Sequence, residues 1–420
     1  MFLQTNPFLT GRCPVVCAFA LSGRGGNERP FTQGVALGYS QNAPSGRVAV
    51  SSWRTAAILL LALLMLPVED VQAQGLKDAL GKYCLIGAAI NQWQSDGQVP
   101  EADAVMDKHF NCATAENCMK PETLAPAEGI FDFRVADKFV GYCHQHNLKV
   151  IGHCLVWHSQ APDWWFTNGY TASPASKEVL RERLIKHIKT VVGHYKGQVH
   201  GWDVVNEAIE DDGSFRKSPY YNLLGEEFIE IAFRTAHDAD PDAELYYNDY
   251  SMAGAKKREA VCRLVKNLKA KGLRIDGVGM QSHNGLDYPN LEEYEKSIDA
   301  FAACGVKVMI TELDVNVLPS PESFGGADIA QNFEYQQKLN PYTEGLPKDK
   351  QKELDARWLS LFNTYYKHRA QISRINLWGI SDGGSWLNGW PIAGRTNYPL
   401  LFDRQYQAKP VVNEIMKIYK

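Results

Sequence analysis

The chain has 420 residues, 45% of them hydrophobic, which is enough for a large globular domain with a sizeable core. Its 44 basic and 48 acidic side chains are mixed along the chain and leave a formal net charge of −4. No basic patch of the kind that binds nucleic acid or an anionic membrane occurs in the sequence, so we expect neither as a partner.

The first 73 residues resemble a leader and a secretory signal segment. The apolar run Ala56–Pro67 follows a stretch with two arginines and precedes the small-residue site Val71–Ala73. This order is typical of a signal peptide, here cleaved near Ala73, and the run is short for a membrane span. A retained signal anchor is the alternative. Residues 1–50, rich in Gly, Pro, Ser and Arg, are either a disordered leader or the product of an upstream start codon. We expect a secreted protein, extracellular or periplasmic, without a stable membrane anchor.

Residues 74–420 are predicted to form one domain, because no linker or short repeat interrupts them. Eight apolar runs alternate there with amphipathic stretches, as expected for parallel strands covered on both faces. The predicted strands are Leu85–Ile90, Phe110–Glu116, Lys149–Trp157, Val199–Glu207, Ala243–Asp249, Gly277–Ser282, Val306–Leu313 and Arg374–Asp382. The clearest predicted helices are Glu178–Tyr195, Lys257–Lys271 and Leu291–Ala303, with Gly272 and Gly305 as stop signals after the last two.

Eight alternations of strand and helix fit either a doubly wound sheet or a closed barrel. The number eight favours the barrel, and no Gly-rich phosphate loop follows the first strand, which argues against a dinucleotide-binding fold. We therefore predict an α/β protein with a (β/α)8 TIM-barrel fold.

Seven of the nine cysteines follow the signal segment. Four of them, Cys112, Cys118, Cys143 and Cys154, fall in the second and third strand–helix units. They are either paired in disulfides, which an oxidising compartment permits, or buried as small hydrophobic residues. Their spacing matches no zinc site, and we expect neither a metal nor a cofactor.

Polar residues terminate seven of the eight predicted strands. In TIM barrels the functional residues lie at the C-terminal ends of strands and in the loops that follow. A single polar strand end is usually a helix cap, but so many together indicate a site. These residues are Glu116, Asn117, His153 to His158, Asn206, Glu207, Asn248, Asp249, Gln281 to His283, Glu312 to Asp314, and Trp378 to Asp382.

Two of these strand ends carry a glutamate after an apolar run, Glu207 in WDVVNE and Glu312 in MITELD. Strands four and seven lie across an eight-stranded ring, so both side chains can face one central cleft. Glycoside hydrolysis requires such a pair: one carboxyl protonates the leaving oxygen, and the other attacks the anomeric carbon or activates water. The alternative is that each glutamate forms a structural salt bridge.

The neighbouring residues favour the catalytic interpretation. Residues i and i+2 of a strand face the same way, so Glu312 shares a face with Asp314, and Gln281 shares one with His283. A histidine between two carboxylates hydrogen-bonds both and keeps the nucleophile ionised and oriented. Asn206, next to Glu207, is placed to bind a sugar hydroxyl.

The sequence resembles the xylanases of glycoside hydrolase family 10. The resemblance spans about residues 76 to 420 and rests on segments that occur in the family's order. These segments are FNCATAENCMKPE, GHCLVWHSQAPDWW, WDVVNEAI, YYNDY, MQSH, ITELDV and WGISDGGSW. It implies an endo-acting, retaining hydrolase of xylan and xylo-oligosaccharides that needs no cofactor, which we expect to be a monomer.

The resemblance also implies roles for individual residues. Glu207 would be the acid/base and Glu312 the nucleophile, with His283 linking Glu312 to Asp314 and Asn206 holding the 2-hydroxyl of the −1 sugar. The implied substrate-binding residues are Glu116, Asn117 and Lys120 in the −2 subsite, Lys120 and His153 on the −1 sugar, Trp157, Trp378 and Trp386 around the glycone, Asn248 and Tyr250 toward the aglycone, and Gln281. For Trp157, core packing is the alternative.

The sequence departs from the family pattern in three places. Pro121 stands where an aromatic residue is common, which leaves the outer edge of the −2 subsite in question, and Ser251 replaces a common Asn. The loop between Asp314 and Lys350 is long and either shapes the aglycone subsites or covers the barrel.

Three other functions are alternatives to that of a xylanase. The nearest is another β-1,4-glycanase, such as an endoglucanase or mannanase. A silent carbohydrate-binding protein would have no use for both glutamates, and a phosphate-handling barrel enzyme would need a phosphate loop and no export signal.

Overall fold

The computed structural model describes residues 74–169, 173–319 and 338–420. The predicted signal segment, residues 1–73, lies outside the described residues. Nine strands are described. They are β1 Leu85–Ile90, β2 Cys112–Ala115, β3 Lys149–Trp157, β4 Val199–Asn206, β5 Glu244–Asp249, β6 Gly277–Met280, β7 His283–Gly285, β8 Lys307–Asn316 and β9 Ile372–Leu377.

Eight of these strands close into a parallel barrel, which confirms the predicted (β/α)8 fold. Each of β1 to β6 pairs with its neighbour, β6 pairs with β8, β8 with β9, and β9 with β1. The short strand β7 lies outside this ring and pairs only with β8. All pairings are parallel, so every barrel strand delivers its C-terminal end to the same face.

Helices connect the strands along the outside. Those described are α1 Leu76–Leu80, α2 Gln92–Ser95, α3 Pro100–His109, α4 Pro121–Leu124, α5 Arg134–Gln145, α6 Lys177–His194, α7 Pro219–Leu224, α8 Glu227–Ala239, α9 Ala255–Ala270, α10 Leu291–Ala303, α11 Lys348–Lys367 and α12 Val411–Ile418. The three predicted helices correspond to α6, α9 and α10 within two residues at each end.

Local sequence signals set the ends of these helices. The Ser176 side chain accepts a hydrogen bond from the Val179 backbone N–H and caps the start of α6, and Asn290 caps α10 in the same way. Gly272 and Gly305 follow α9 and α10 with φ of 69° and 72°, as the stop signals predicted.

The barrel core is formed by the apolar strand residues, and it also contains large aromatic side chains. Trp202 of β4 is fully buried, and its ring lies against Gly152 of β3, where an added Cβ would approach the ring to 2.1 Å. The register pairs these two residues directly across the β3–β4 ladder. Glycine at 152 is therefore required by the close approach of the indole.

The C-terminal ends of three strands differ from the prediction by two residues or more. Strand β6 stops at Met280 because Ser282 adopts a left-handed φ of 65°, after which His283 starts the separate strand β7. Pairing with β7 extends β8 to Asn316, and β9 ends at Leu377, before Gly379 with φ of 125°. The described part of the predicted 315–350 loop is short, because residues 320–337 lie outside the described residues.

The seven cysteines of the described residues carry free thiols, and five of them are buried. Burial raises the pKa of Cys84, Cys112 and Cys118 to about 12. The structure supports the second of the two alternatives, small hydrophobic residues in the core, for Cys112, Cys118, Cys143 and Cys154.

Candidate active site

The two glutamates lie at the C-terminal face of the barrel, but in different backbone settings. Glu312 is inside β8, and its backbone N–H donates to the Gln281 carbonyl at 2.8 Å. Glu207 is the first residue after β4 and has a left-handed φ of 58°. Its N–H donates to the Asn248 carbonyl at 2.9 Å, and its carbonyl accepts from Arg216 Nε at 2.9 Å.

Three amide side chains connect the two carboxylates. Gln281 Nε2 donates to Glu207 Oε1 at 2.9 Å and lies 3.2 Å from Asn206 Oδ1. Asn248 Nδ2 donates to the same Asn206 oxygen at 3.0 Å and to Glu312 Oε1 at 2.8 Å. The register aligns two of these amides, because Asn206 pairs with Asn248 across the β4–β5 ladder. The pair predicted from two distant segments is therefore brought into one hydrogen-bonded cluster.

Glu312 is buried and surrounded by donors. His283 Nε2 lies 3.2 Å from Glu312 Oε2, and Asn248 binds the other oxygen. Burial by itself raises the pKa of this carboxyl, but the hydrogen bond from His283, the electrostatic effects of His153 and His283, and the hydrogen bond from Asn248 outweigh it. The net result is a pKa below the ordinary range, which favours the carboxylate form.

His283 links Glu312 to Asp314, as the sequence predicted. Its Nδ1 lies 3.0 Å from Asp314 Oδ2, and Trp386 Nε1 donates to that same oxygen at 2.8 Å. Burial lowers the pKa of His283, but the charge and hydrogen bond of Asp314, followed by those of Glu312, raise it to about 10. The imidazole is then a cation at neutral pH and donates from both ring nitrogens.

Glu207 is more accessible than Glu312, with side-chain exposures of 13% and 6%. Trp157 Nε1 donates to Glu207 Oε2 at 2.8 Å, and Asn206 Nδ2 lies 3.2 Å from Oε1. His158 Nδ1 is 4.0 Å from Oε2. Trp157 therefore contacts the candidate acid directly. This contact favours a place in the site over the alternative of core packing.

A second polar group lies on the side of β2 and β3. Lys120 is 5% exposed, and its ammonium donates to Asn117 Oδ1 and to Gln160 Oε1, each at 2.7 Å, and lies 5.0 Å from the centre of the Trp157 ring. Burial lowers the pKa of Lys120 and raises the pKa of Glu116. Pro121, the departure noted in the sequence, begins the short helix α4.

His153 and two indoles line the neighbouring wall. His153 Nδ1 lies 3.0 Å from Asp203 Oδ2 at the bottom of the site, where both residues are buried. The Trp378 ring centre is 5.2 Å from that of His153 and 6.4 Å from that of His283. The Trp386 ring lies 4.9 Å from that of His283.

Asn248 and Tyr250 differ in how far their side chains are buried. Tyr250 is half-buried, and its hydroxyl accepts from Arg216 Nη2 at 2.5 Å. Asn248 is 0% exposed, and its amide oxygen accepts from Thr311 while its amide nitrogen serves Asn206 and Glu312. The Asn248 amide thus positions Glu312, and its expected place toward the aglycone stays a prediction.

Sequence reasoning did not single out Gln160, Asp203 or Arg216. The side chains of Gln160 and Asn117 both accept a hydrogen bond from the Lys120 ammonium. Asp203 hydrogen-bonds the ring of His153. Arg216 donates to the carbonyl of Glu207. Only Asp203 had a clear signal, because it is a carboxylate inside the otherwise apolar run that leads to Glu207. Gln160 and Arg216 reach the site from loops, where no periodicity predicts the direction of a side chain.

The site opens to solvent beside His283 and Asp314. A cavity of about 1090 Å³ has His283, Asp314 and Trp386 on one wall. Tyr288 and Trp390, which line it farther out, are exposed. Such a cleft has room for a chain that continues beyond the bond being cleaved.

The parts of the chain that the structure describes contain neither a metal-binding cluster nor a membrane-spanning helix. No group of three or more His, Cys, Asp or Glu residues there is arranged to hold a metal ion. None of the helices in those ranges combines the length and apolar character needed to cross a membrane.

Comparison with known proteins gives one consistent family. The model of glycosyl hydrolase family 10 matches residues 75–418. Endo-1,4-beta-xylanase A of Xylanibacter ruminicola is 55% identical over 362 residues, which are 86% of this chain and 98% of that protein. An endo-1,4-beta-xylanase of Geobacillus stearothermophilus is 38% identical over 347 residues, 82% of this chain and 98% of the relative.

A solved structure leads to the same family. It is described as a novel GH10 endoxylanase retrieved from sugarcane soil metagenome. Its TM-score is 0.77 at 43% sequence identity, and the match covers 83% of this chain and 100% of that one.

Proposed function

The chain belongs to glycosyl hydrolase family 10, and on this premise we propose that Glu207 is the acid/base and Glu312 the nucleophile of its reaction. The protein is an endo-1,4-β-xylanase that hydrolyses internal β-1,4-xylosidic bonds of xylan. It acts with retention, by double displacement through a covalent glycosyl-enzyme intermediate.

Each step uses the two carboxyls in turn. In the first, the Glu312 carboxylate attacks the anomeric carbon of the −1 xylosyl unit while Glu207 gives its proton to the departing glycosidic oxygen. In the second, the Glu207 carboxylate takes a proton from a water molecule. That water attacks the anomeric carbon and releases Glu312.

The contrast between the two carboxyls carries this assignment. Glu312 is buried, its pKa is held below the ordinary range, and His283 and Asn248 hold its oxygens, as a carboxylate nucleophile requires. Glu207 is more exposed, so a leaving group and a water molecule can both reach it. A retaining pair requires about 5 to 5.5 Å between the carboxyls, and we predict that separation for Glu207 and Glu312 in the sugar complex.

The remaining site residues are proposed to bind the sugar chain. Lys120, Asn117 and Glu116 would bind the −2 sugar, and His153 with Lys120 the −1 sugar. Asn206 would hold the 2-hydroxyl of the −1 sugar, and Gln281 would bind substrate next to Asn206. Tyr250 would lie toward the aglycone. Trp157, Trp378 and Trp386 form an aromatic wall that suits a pentose without a hydroxymethyl group. Hydrogen bonds to the 2-hydroxyl that strengthen in the transition state lower the barrier further.

Two measurements test this function against its nearest rivals. Initial rates on linear xylan should far exceed those on carboxymethylcellulose and on mannan, whereas a higher rate on either of the latter would identify an endoglucanase or a mannanase. Proton NMR of the first product should show the β-anomer before mutarotation. An α-configured first product would contradict retention.

We also propose that residues 1–73 are a leader and signal segment removed on export and that the catalytic domain spans 74–420. The apolar run Ala56–Pro67 and the small-residue site at Val71–Ala73 support this proposal. Mass spectrometry of the exported protein should find an N-terminus near Gln74, and one upstream of Ala56 would overturn it. Light scattering of the mature protein should give the mass of a monomer.

A further inference from the structure

Strand β5 and Arg216 hold the backbone that carries Glu207, with β5 accepting its N–H groups and Arg216 donating to the carbonyls of Glu207 and Ala208. Three successive N–H groups, those of Glu207, Ala208 and Ile209, all donate to residues of β5. The acceptors are the Asn248 carbonyl at 2.9 Å, the Tyr247 hydroxyl at 3.2 Å and Asp249 Oδ2 at 3.4 Å. The Glu207 N–H makes the last bond of the β4–β5 ladder, and beyond it the N–H groups of Ala208 and Ile209 donate to side chains of β5.

The conformation at Glu207 needs such support. Its φ of 58° is in the left-handed region, which residues other than glycine rarely occupy. Backbone of this kind persists where the surroundings fix it, and it is concentrated at functional sites. Of the two side-chain acceptors, Tyr247 and Asp249, neither faces the sugar cleft, because both are fully buried.

Asp249 is in turn fixed by a buried lysine. The Tyr247 hydroxyl donates to Asp249 Oδ2, and Lys257 Nζ lies 2.8 Å from Oδ1. Oδ1 also accepts the Tyr250 backbone N–H at 2.9 Å. Lys257 comes from α9 and its side chain is 0% exposed, so a buried ion pair anchors the carboxylate that the Glu207 segment depends on.

We propose that Tyr247, Asp249 and Lys257 form a positioning group that holds the acid/base Glu207 in line with the departing glycosidic oxygen. The inference rests on the proposed role of Glu207 and adds three residues that do not touch substrate. Proton donation in the transition state requires the acid within hydrogen-bond distance of the leaving oxygen. A small displacement of the backbone at Ala208 moves the Glu207 carboxyl out of that range and leaves Glu312, on β8, in place.

The Tyr247→Phe variant provides the most conservative test, because it removes one hydroxyl and leaves the ring. We expect kcat/KM on xylan, a poor leaving group, to fall by roughly 10- to 100-fold, the effect of a misplaced catalytic group. On an aryl xylobioside with a good leaving group, kcat/KM reports the first step, which needs little protonation, and it should fall less than about 3-fold.

Tyr246→Phe is the matched control. Tyr246 is the preceding residue of the same strand, is also buried, and donates its hydroxyl to Glu244 at 2.9 Å, at the start of β5 and away from Glu207. The Tyr246→Phe variant should keep the wild-type kcat/KM on both xylan and the aryl xylobioside. An equal loss on both substrates for Tyr247→Phe, or no loss on xylan, would overturn the proposal. Asp249→Asn is the second variant, with the same expected pattern and the same contrary outcomes.

A double-variant comparison separates the failure of this proposal from failure of the proposed function. If Glu207→Ala keeps full activity on xylan, Glu207 is not the acid/base. Tyr247, Asp249 and Lys257 then have no catalytic residue to position. If Glu207→Ala loses xylan activity as expected, Tyr247→Phe added to it should cause no further loss on xylan, because the group acts only through Glu207. A further 10-fold loss in that background would show that Tyr247 supports the site by another route.

Discussion

Glu312 and Glu207 follow apolar strands of the same barrel, yet different kinds of contact hold them. Glu312 stays within the β8 ladder, and side-chain donors, His283 and Asn248, fix its carboxylate. Glu207 lies one residue beyond β4, where strand β5 and Arg216 bind its backbone and its carboxyl is the more exposed of the two.

The difference fits the roles proposed for the two carboxyls. A nucleophile must be ionised and motionless at the start of the reaction, and buried donors achieve both at the cost of solvent access. An acid/base must release a proton to the leaving group and then take one from water, so its carboxyl has to remain reachable. Fixing the backbone at Glu207 and leaving the carboxyl partly open meets that second requirement.

The largest expected effect is on the nucleophile side. Glu312→Ala should lower turnover on every substrate by roughly 10⁵-fold, the scale of losing a covalent nucleophile. Azide, which enters the space of the missing carboxylate, should restore activity and yield an α-xylosyl azide. The control is Glu292→Ala on the surface of α10, where the side chain is 77% exposed. Rescue that gives a β-configured azide would contradict the role of Glu312.

A smaller effect is expected from the residue that holds Glu312 ionised. His283→Asn removes the charge that offsets burial, so the pKa of Glu312 should rise and the acidic limb of kcat/KM should move to higher pH. The rate at the optimum should fall by roughly 10²-fold. His144→Asn, at an exposed position on α5, is the control. An acidic limb that stays in place in His283→Asn would mean that His283 does not tune Glu312.

Removing one hydrogen-bond donor to Glu207 should lower kcat/KM on xylan by less than the His283 substitution does. Trp157→Phe keeps an aromatic ring but removes the N–H bound to Glu207 Oε2. One hydrogen bond contributes about 1 kcal/mol, so kcat/KM on xylan should fall by roughly 5- to 10-fold. Trp164→Phe, whose indole N–H donates to the Ala125 carbonyl, controls for loss of an indole at this end of the barrel. Equal losses for the two variants would assign the effect to general packing.

The last prediction concerns the stability of the fold and not the rate. The pKa of His283 is raised to about 10 in the folded protein from an ordinary 6.5, so the folded state holds this proton more tightly. The resulting stabilisation is fully present below about pH 6.5 and is lost as the pH rises through about 10. The free energy of unfolding of the wild-type protein relative to His283→Asn should therefore decline across that interval in urea titrations. A difference that grows with pH would contradict the ion pairs assigned to His283.

The sequence predicted the features that follow from periodicity. Near-continuous apolar runs located all eight barrel strands, and the polar residues at their ends located Glu207 and Glu312. Alternation along a strand placed Glu312 and Asp314 on one face, and the contact of both with His283 is confirmed.

What the sequence did not predict depends on backbone direction outside regular elements. The left-handed residues Ser282 and Glu207 redirect the chain at two strand ends, and no apolar pattern signals such a turn. The contacts of Asn248 with Thr311 and Glu312 depend on the stagger between strands, which sequence spacing does not specify. Gln160 reaches Lys120 from a loop for which the sequence offers no periodicity.

The measurement that tests the assigned roles most directly is the leaving-group dependence of Glu207→Ala. The variant lacks the proton donor but keeps Glu312 with its donors His283 and Asn248, so it should still form the covalent intermediate when the leaving group needs no protonation. We predict a rapid burst of aryl alcohol from an activated aryl xylobioside, followed by slow turnover, and almost no cleavage of xylan. Equal loss on both substrates, or xylan hydrolysis at the wild-type rate, would contradict the division of roles between the two glutamates.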